Sequence, residues 1–286
     1  MLMAALTLAL AIAAAHARRP VRDIPERLPE ALRVRTNYTL ARSRPSVECP
    51  RLLDDLPAAP RLPCTDPPVR EQCKHMPCRS THGRKDLAIA RTFFDSPLME
   101  GCVGTFIELG AWDGLTGSNT LHFEDRGWRG LCIEPSPKNF ARLAANRPSC
   151  VNVNALITQE VGEETYLSTS DQGYAGVERF IDLQKLELQH VKVLSRRKIS
   201  AVPLRHVLTR SGLQHVDFFS LDVEGGELEV LRSVDFGTTS FGVLLIENGV
   251  TEPILSLLEL NGYFLYGELA EDALWVNSCL FRRSAH

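Results

Sequence analysis

The sequence predicts a doubly wound α/β domain: a mostly parallel, Rossmann-like sheet with helices on both faces, a small β-rich insertion and an irregular N-terminal extension. Three observations predict it. From residue 82 onward, short apolar runs of strand length alternate with segments of helical spacing. The first long run ends in a carboxylate and a glycine turn, in residues 106–120 (FIELGAWDGLTGSNT). Polar residues then recur at the ends of later runs, where open α/β sheets bind their ligands.

Taken in order, residues 86–94 (DLAIARTFF) have helical spacing and are closed by Ser96-Pro97. Residues 103–109 are the central strand. Residues 118–124 open a helix that Gly127 ends. Residues 130–134 (GLCIE) are a buried strand ending in a carboxylate, and residues 137–146 are a helix with proline early and Pro148 just after it. Residues 150–157 (CVNVNALI) are a third strand. Residues 158–213 interrupt the alternation, with strands at 164–168 and 199–204, helical spacing at 180–188, and Gly173 and Gly176 placed to hinge a flap. Alternation resumes with a strand at 216–221, a helix at 226–234, a strand at 241–247 and a helix at 252–260. Strands at 263–266 and 273–276 close the domain, with residues 278–281 extending the last.

The 286 residues suit one large domain with an extension, and the 44% apolar and 23% charged fractions are those of a globular protein. With a net charge of -3 and no basic stripe interleaved with aromatics, nothing calls for a nucleic-acid partner. Residues 1–17 are apolar and end in Ala15-His16-Ala17, which fits a cleaved signal peptide or a short signal anchor; a membrane is a partner only if the segment stays uncleaved. The lysine-free, arginine-rich stretch 18–44 keeps an organelle transit peptide as the alternative. Residues 18–81 read as a proline-, arginine- and cysteine-rich linker or stalk, and residues 82–286 as the globular domain.

Cys49, Cys64, Cys73 and Cys78 lie in that stalk, where disulfides would supply order that burial cannot. Free thiols, or a metal held by Cys73, His75, Cys78 and His82, are the other readings, although the spacing matches no usual zinc framework. Cys102, Cys132, Cys150 and Cys279 lie beside or within strands, as buried free cysteines acting as small hydrophobes. The sequon Asn37-Tyr38-Thr39 would be glycosylated only in the secretory pathway.

Four strand ends carry the candidate chemistry: Glu108 to Gly110, Glu134, Asn154, and Asp222 with Glu224. Glu134 lies about two dozen positions beyond the glycine turn, the spacing of a ribose-binding carboxylate. Asn154 is placed to meet an adenine edge. The loop is not Gly-x-Gly-x-x-Gly, and no P-loop is present, so a pyrophosphate is disfavoured. Glu108 and Asp113 suit a ligand carrying an ammonium and a sulfonium, which points to S-adenosylmethionine; no metal site is expected.

The run FIELGAWDGLTGSNTLHFEDRGWRGLCIEPSPKNFARL, beginning at Phe106, resembles the opening of FkbM-type methyltransferases. VDFFSLDVEGGELEVLRSVDF resembles that family's second signature, with its Asp-x-Glu-Gly core at Asp222, Glu224 and Gly225. LLIENG and GYFLYGELAEDALWVN are similar too, so the resemblance covers roughly residues 82–282. It departs at Trp112, where members often have a small polar residue, and at His122, where they often have tyrosine.

The resemblance implies a class I methyltransferase fold and S-adenosylmethionine-dependent O-methylation of a hydroxyl, of a glycan or a small molecule. The expected cofactor-binding residues are Glu108, Gly110, Ala111, Asp113, Gly114, Ser118, Asn119, Thr120, Glu134, Pro135, Ser136, Asn154, Ala155 and Asp222. An alcohol needs a base or a metal to take its proton; Asp222 is the favoured base, with Glu224, His122 and Glu247 as further catalytic candidates and Asn248 on the acceptor side. A secretory acceptor follows if the signal sequence holds. The alternative is a non-catalytic binding module that keeps the fold.

Overall fold

The computed structural model describes residues 22–24, 85–94 and 104–283. The expectations placed on residues 1–17, on the stalk cysteines, on the Asn37 sequon and on Cys102 lie outside them. Within the stalk, Arg22–Ile24 runs parallel to Phe281–Arg283 as a separate two-stranded pair. The end of the chain therefore does not extend the main sheet's last strand.

The domain opens with α1 (Lys85–Ile89), which continues as a π-helical turn over Ala90–Phe94. The first βαβαβ unit follows: β1 (Thr105–Leu109), α2 (Leu121–Asp125), β2 (Arg129–Ile133), α3 (Pro137–Asn146) and β3 (Val151–Val153). The insertion holds β4 (Leu156–Ile157), β5 (Gly162–Thr169), β6 (Gly176–Val177), α4 (Leu183–Leu188) and β7 (Val193–Val202). Then come α5 (Leu204–Ser211), β8 (His215–Leu221), α6 (Glu227–Arg232), β9 (Ser240–Glu247) and α7 (Glu252–Leu260). The hairpin β10 (Tyr263–Leu269) and β11 (Asp272–Asn277) ends the sheet.

Seven strands form the main sheet in the order β10-β11-β9-β8-β1-β2-β3. All pairs from β9 to β3 are parallel, and β11 is antiparallel to both its neighbours. The chain winds outward from β1 to β3, then returns to the other side of β1 as β8. This reversal between β1 and β8 creates the crevice in which such sheets bind ligands. The two backbones meet there: Asp222 N donates to Leu109 O at 3.1 Å. Gly110 has φ +86°, and a Cβ on it would lie 1.7 Å from the Asp222 carbonyl oxygen. Only glycine fits this position.

Alternation along β1 sends side chains into two separate cores. Ile107 and Leu109 pack with Phe219, Leu221, Leu208, Leu231 and Leu258 on one face. Phe106 packs with Phe218, Leu245, Ile89, Phe93 and Leu143 on the other. Burial of each such side chain contributes about 1.5–3 kcal/mol, so the position of β1 is fixed from both faces.

Three expectations are corrected. Residues 150–157 are not one strand: β3 belongs to the main sheet and β4 to the four-stranded insertion sheet, ordered β4-β7-β5-β6, with the chain crossing over at Asn154-Ala155. Residue 204 starts α5 rather than ending a strand, because Pro203 cannot donate to a ladder and sits at the helix N-cap. Cys132 and Cys150 are not free: they form a disulfide, their Cα atoms 6.2 Å apart, because β2 and β3 are neighbours. Cys279 is disulfide-bonded as well.

The Cys132–Cys150 bond closes a loop with a sequence separation of 18. Cys132→Ala is expected to lower the unfolding free energy by about 3 kcal/mol in denaturant titration. Peptide mapping without reductant should recover the two cysteines linked.

Candidate active site

A cleft of 540 Å³ opens over the carboxyl ends of β1, β2, β8 and β9 and is roofed by the insertion. Its floor carries Glu108, Gly110, Ala111, Glu134, Asp222, Glu224 and Glu247; Tyr166, Tyr174, Phe180 and Lys185 reach in from the insertion. Ser118, Asn119, Pro135 and Ala155 also line it.

The loop after β1 is shaped by Glu108. Its buried carboxylate accepts from Ser118 Oγ at 2.8 Å, Asn119 N at 2.7 Å and Thr120 Oγ1 at 2.8 Å. Arg147, fully buried at 1% exposure, donates to the same carboxylate at 3.1 Å and also to Glu124, Gly114 O, Ser118 Oγ and Thr120 Oγ1. These bonds hold residues 118–120 out of the helix, which starts only at Leu121. Asp113 is occupied in the same way, accepting from Leu115 N, Thr116 N and Thr116 Oγ1. Asp113, Gly114 and Thr120 therefore build the loop and do not line the cleft. Arg147 was not foreseen, since nothing in its neighbourhood marks it beyond the following proline.

Glu134 is buried at 4% exposure at the end of β2. Its carboxylate accepts from Trp112 N at 3.0 Å and Ser136 N at 2.8 Å. Burial outweighs these donors, with that of Asn139, and pushes its pKa up to about 7. Ser136 thus supports Glu134 from outside the cleft. So does Asn154, which is exposed and donates to Glu134 O at 2.7 Å and Pro135 O at 3.1 Å.

Four acidic groups meet across the β8 and β9 ends. Asp222 faces the cleft, its carboxyl group beside that of Glu247. Asp222 is exposed to the cleft and Glu247 half-buried; desolvation by the cleft walls, then the neighbouring carboxylates, pushes both pKa values up. Glu224, in a left-handed conformation with φ +59°, is pushed up to about 8 by burial, then by Asp222 and Glu227, while Lys185 opposes the shift. Oxygens of Asp222, Glu224 and Glu247 lie within 4.8 Å of one another. Retained protons or a hard cation are the two ways to relieve such crowding. Asp272 adds a fourth carboxylate, held by Lys85 at 2.6 Å.

The Asp222 loop has its own organiser. Glu227, 5% exposed, accepts from Val223 N at 3.0 Å and Gly225 N at 3.2 Å. Gly225 lets Phe180 approach, since a Cβ there would lie 3.2 Å from the Phe180 Cβ. Arg179 bridges Glu164 of β5 and Glu229 of α6 at 2.9 Å each, so the insertion is tied to the helix that follows this loop. His122 is not brought to the cleft. It is 7% exposed in α2 and stands edge-on to Phe123, because α2 turns that side of the helix into the core. Tyr166 and Lys185 went unforeseen because the insertion places them over the strand ends from far along the chain.

Among the described residues, no helix is long and apolar enough to cross a membrane. A family model, the methyltransferase FkbM domain, matches residues 108–265. No curated protein matches the chain. Among solved structures, the methyltransferase FkbM from Methylobacillus flagellatus KT is 14% identical, with a TM-score of 0.37 over 61% of this chain and 43% of that one. Monomeric WbdD is 14% identical, with a TM-score of 0.36 over 72% of this chain and 44% of that one. Fibrillarin from Aeropyrum pernix, solved with natively bound S-adenosyl-L-methionine, is 13% identical, with a TM-score of 0.29 over 60% and 65%. The chain thus spans less than half the length of the first two.

Arg147→Met should cost about 3–5 kcal/mol of stability, since it strands Glu108 and Glu124 in the interior. Urea unfolding checks this, and a loss under 1 kcal/mol would remove Arg147 as the loop's anchor.

Proposed function

The chain belongs to the FkbM methyltransferase family, and we propose from that premise that it is an S-adenosylmethionine-dependent O-methyltransferase. Its sheet is the class I methyltransferase arrangement. The observation that carries the reading is the cleft floor: a buried carboxylate, Glu134, at one end, and a close carboxyl pair, Asp222 and Glu247, at the other.

The residues fit a cationic nucleoside. Glu134 is a carboxylate acceptor for ribose hydroxyls, with Pro135, Ala155, Leu156 and Ile157 as apolar surface beside it for the base. Gly110 and Ala111 bring bare backbone to the floor. The acidic lining disfavours a phosphate and favours an ammonium and a sulfonium. Glu108, for which a direct part in binding was expected, acts by holding the loop. When bound, S-adenosylmethionine supplies an electrophilic methyl carbon on sulfur.

The chain's own residues do the rest. Asp222 would take the proton of the acceptor hydroxyl, leaving its oxygen as the nucleophile for the methyl group that the cofactor would supply. Glu247 lies beside Asp222, and desolvation by the cleft walls raises the latter's basicity toward the working pH. Glu224 orients the acceptor, and Asn248, with φ +48° on the rim, lies on the acceptor side. The insertion roof excludes water through Tyr166 and Phe180. The Cys132–Cys150 disulfide supports an oxidising, secretory compartment, and there a glycan hydroxyl is the natural acceptor.

Asp222→Asn should leave cofactor affinity within a few-fold and reduce methyl transfer by about 10²–10⁴; unchanged turnover in a labelled-methyl assay would remove Asp222 as base. Ribose hydroxyls donate to a carboxylate, and the Glu134 carboxyl is protonated below its raised pKa of about 7. Cofactor affinity should therefore rise between pH 6 and pH 8, values about one unit either side of that pKa. Glu134→Gln should flatten that rise in calorimetric titrations; a variant that keeps the wild-type pH dependence would refute the ribose role.

A further inference from the structure

Trp112 stands in the cleft with two features that no contact among the described residues accounts for. It lies just beyond Gly110, its backbone N–H donates to Glu134 Oε2 at 3.0 Å, and its indole lines the cleft. Its φ is +49°, in the left-handed region that bulky side chains rarely adopt. Its Nε1 is buried and has no hydrogen-bond partner among the described residues. Among the described residues lining the cleft, no other has a buried side-chain nitrogen or oxygen in that state. A buried indole N–H ordinarily finds an acceptor. Strained backbone persists where binding makes use of it.

The neighbouring donors are engaged. Ser118 Oγ, Asn119 N and Thr120 Oγ1 donate to Glu108, Thr116 Oγ1 to Asp113, and Asn119 Nδ2 to Ser220 Oγ. Among the side-chain donors of residues 111–120, only Trp112 Nε1 lacks an acceptor within the described residues. The cofactor proposed above ends in an amino acid, whose carboxylate must find donors in a cleft lined by more acidic than basic side chains. Of the two lysines lining the cleft, Lys85 is held by Asp272 and Lys185 comes from the insertion beside Glu224, so on the loop after β1 the indole is the donor left for that carboxylate.

We infer that Trp112 reads the amino-acid carboxylate of the cofactor: the indole N–H donates to a carboxylate oxygen, and the ring walls the tail. Because Nε1 is buried in the free chain, the indole shifts to take up that acceptor. This inference rests on the cofactor reading of the same cleft, and its test separates the two.

Wild type and Trp112→Phe are titrated calorimetrically with S-adenosylhomocysteine, which carries the carboxylate, and with 5′-methylthioadenosine, which lacks the amino-acid tail. The substitution should weaken S-adenosylhomocysteine about tenfold or more, as for a lost hydrogen bond to a charged group, and leave methylthioadenosine within about twofold. Equal losses for the two ligands, or no loss for either, overturn the inference and leave the cofactor reading standing. A wild-type chain that binds neither ligand overturns both. Should Trp112→Phe melt well below wild type, Trp112→His, which keeps a ring N–H, takes its place. It should hold the wild-type ratio of the two affinities, and a ratio shifted about tenfold toward methylthioadenosine overturns the inference.

Discussion

One buried guanidinium holds the ligand side of this domain together. Arg147 leaves the end of α3, crosses under the loop that follows β1, and binds Glu108, Glu124, Gly114 O, Ser118 and Thr120. A charge at 1% exposure is tolerable only when so many partners converge on it. The consequence is geometric. Loop residues 110–120, which a glycine-rich sequence would leave mobile, become a fixed wall, and the cleft beside them is preformed. Glu227 does the same on a smaller scale for the loop after β8.

With both loops fixed, the reversal of strand order between β1 and β8 sets what the cleft contains. β1 and β8 approach until Asp222 hydrogen-bonds Leu109, which is why residue 110 must be glycine. The parallel register then delivers Glu134 on one side and Asp222 with Glu247 on the other. Carboxylates gathered that closely disfavour one another's ionisation, and carboxyl oxygens of Asp222, Glu224 and Glu247 lie within 4.8 Å of one another. Desolvation by the cleft walls adds to this crowding and pushes their pKa values up.

The parts of this architecture legible in sequence were those set by local pattern. The strands around β1, β2, β8 and β9 are buried on both faces, so they appear as short apolar runs, and Glu134, Asp222, Glu224 and Glu247 follow as their polar ends. Helices α3 and α7 were legible to the residue because proline opens each. The rest depended on distant parts of the chain. Residues 150–157 alternate without a break, yet tertiary pairing divides them between two sheets. His122 looked available on a helix that Glu108 had already shortened. The carboxylates of Glu108 and Asp113 read as ligand-facing, but internal donors consume them. Tyr166, Lys185 and Arg147 reach their places only through contacts made across the fold.

The most direct test of the account is a crystal structure of the oxidised chain with S-adenosylhomocysteine. The account predicts one molecule per chain, its adenosine over Leu109 to Ala111, both ribose hydroxyls on the Glu134 carboxylate, and its sulfur facing Asp222. A nucleoside bound elsewhere, or one whose sulfur faces away from Asp222 and Glu247, would contradict it.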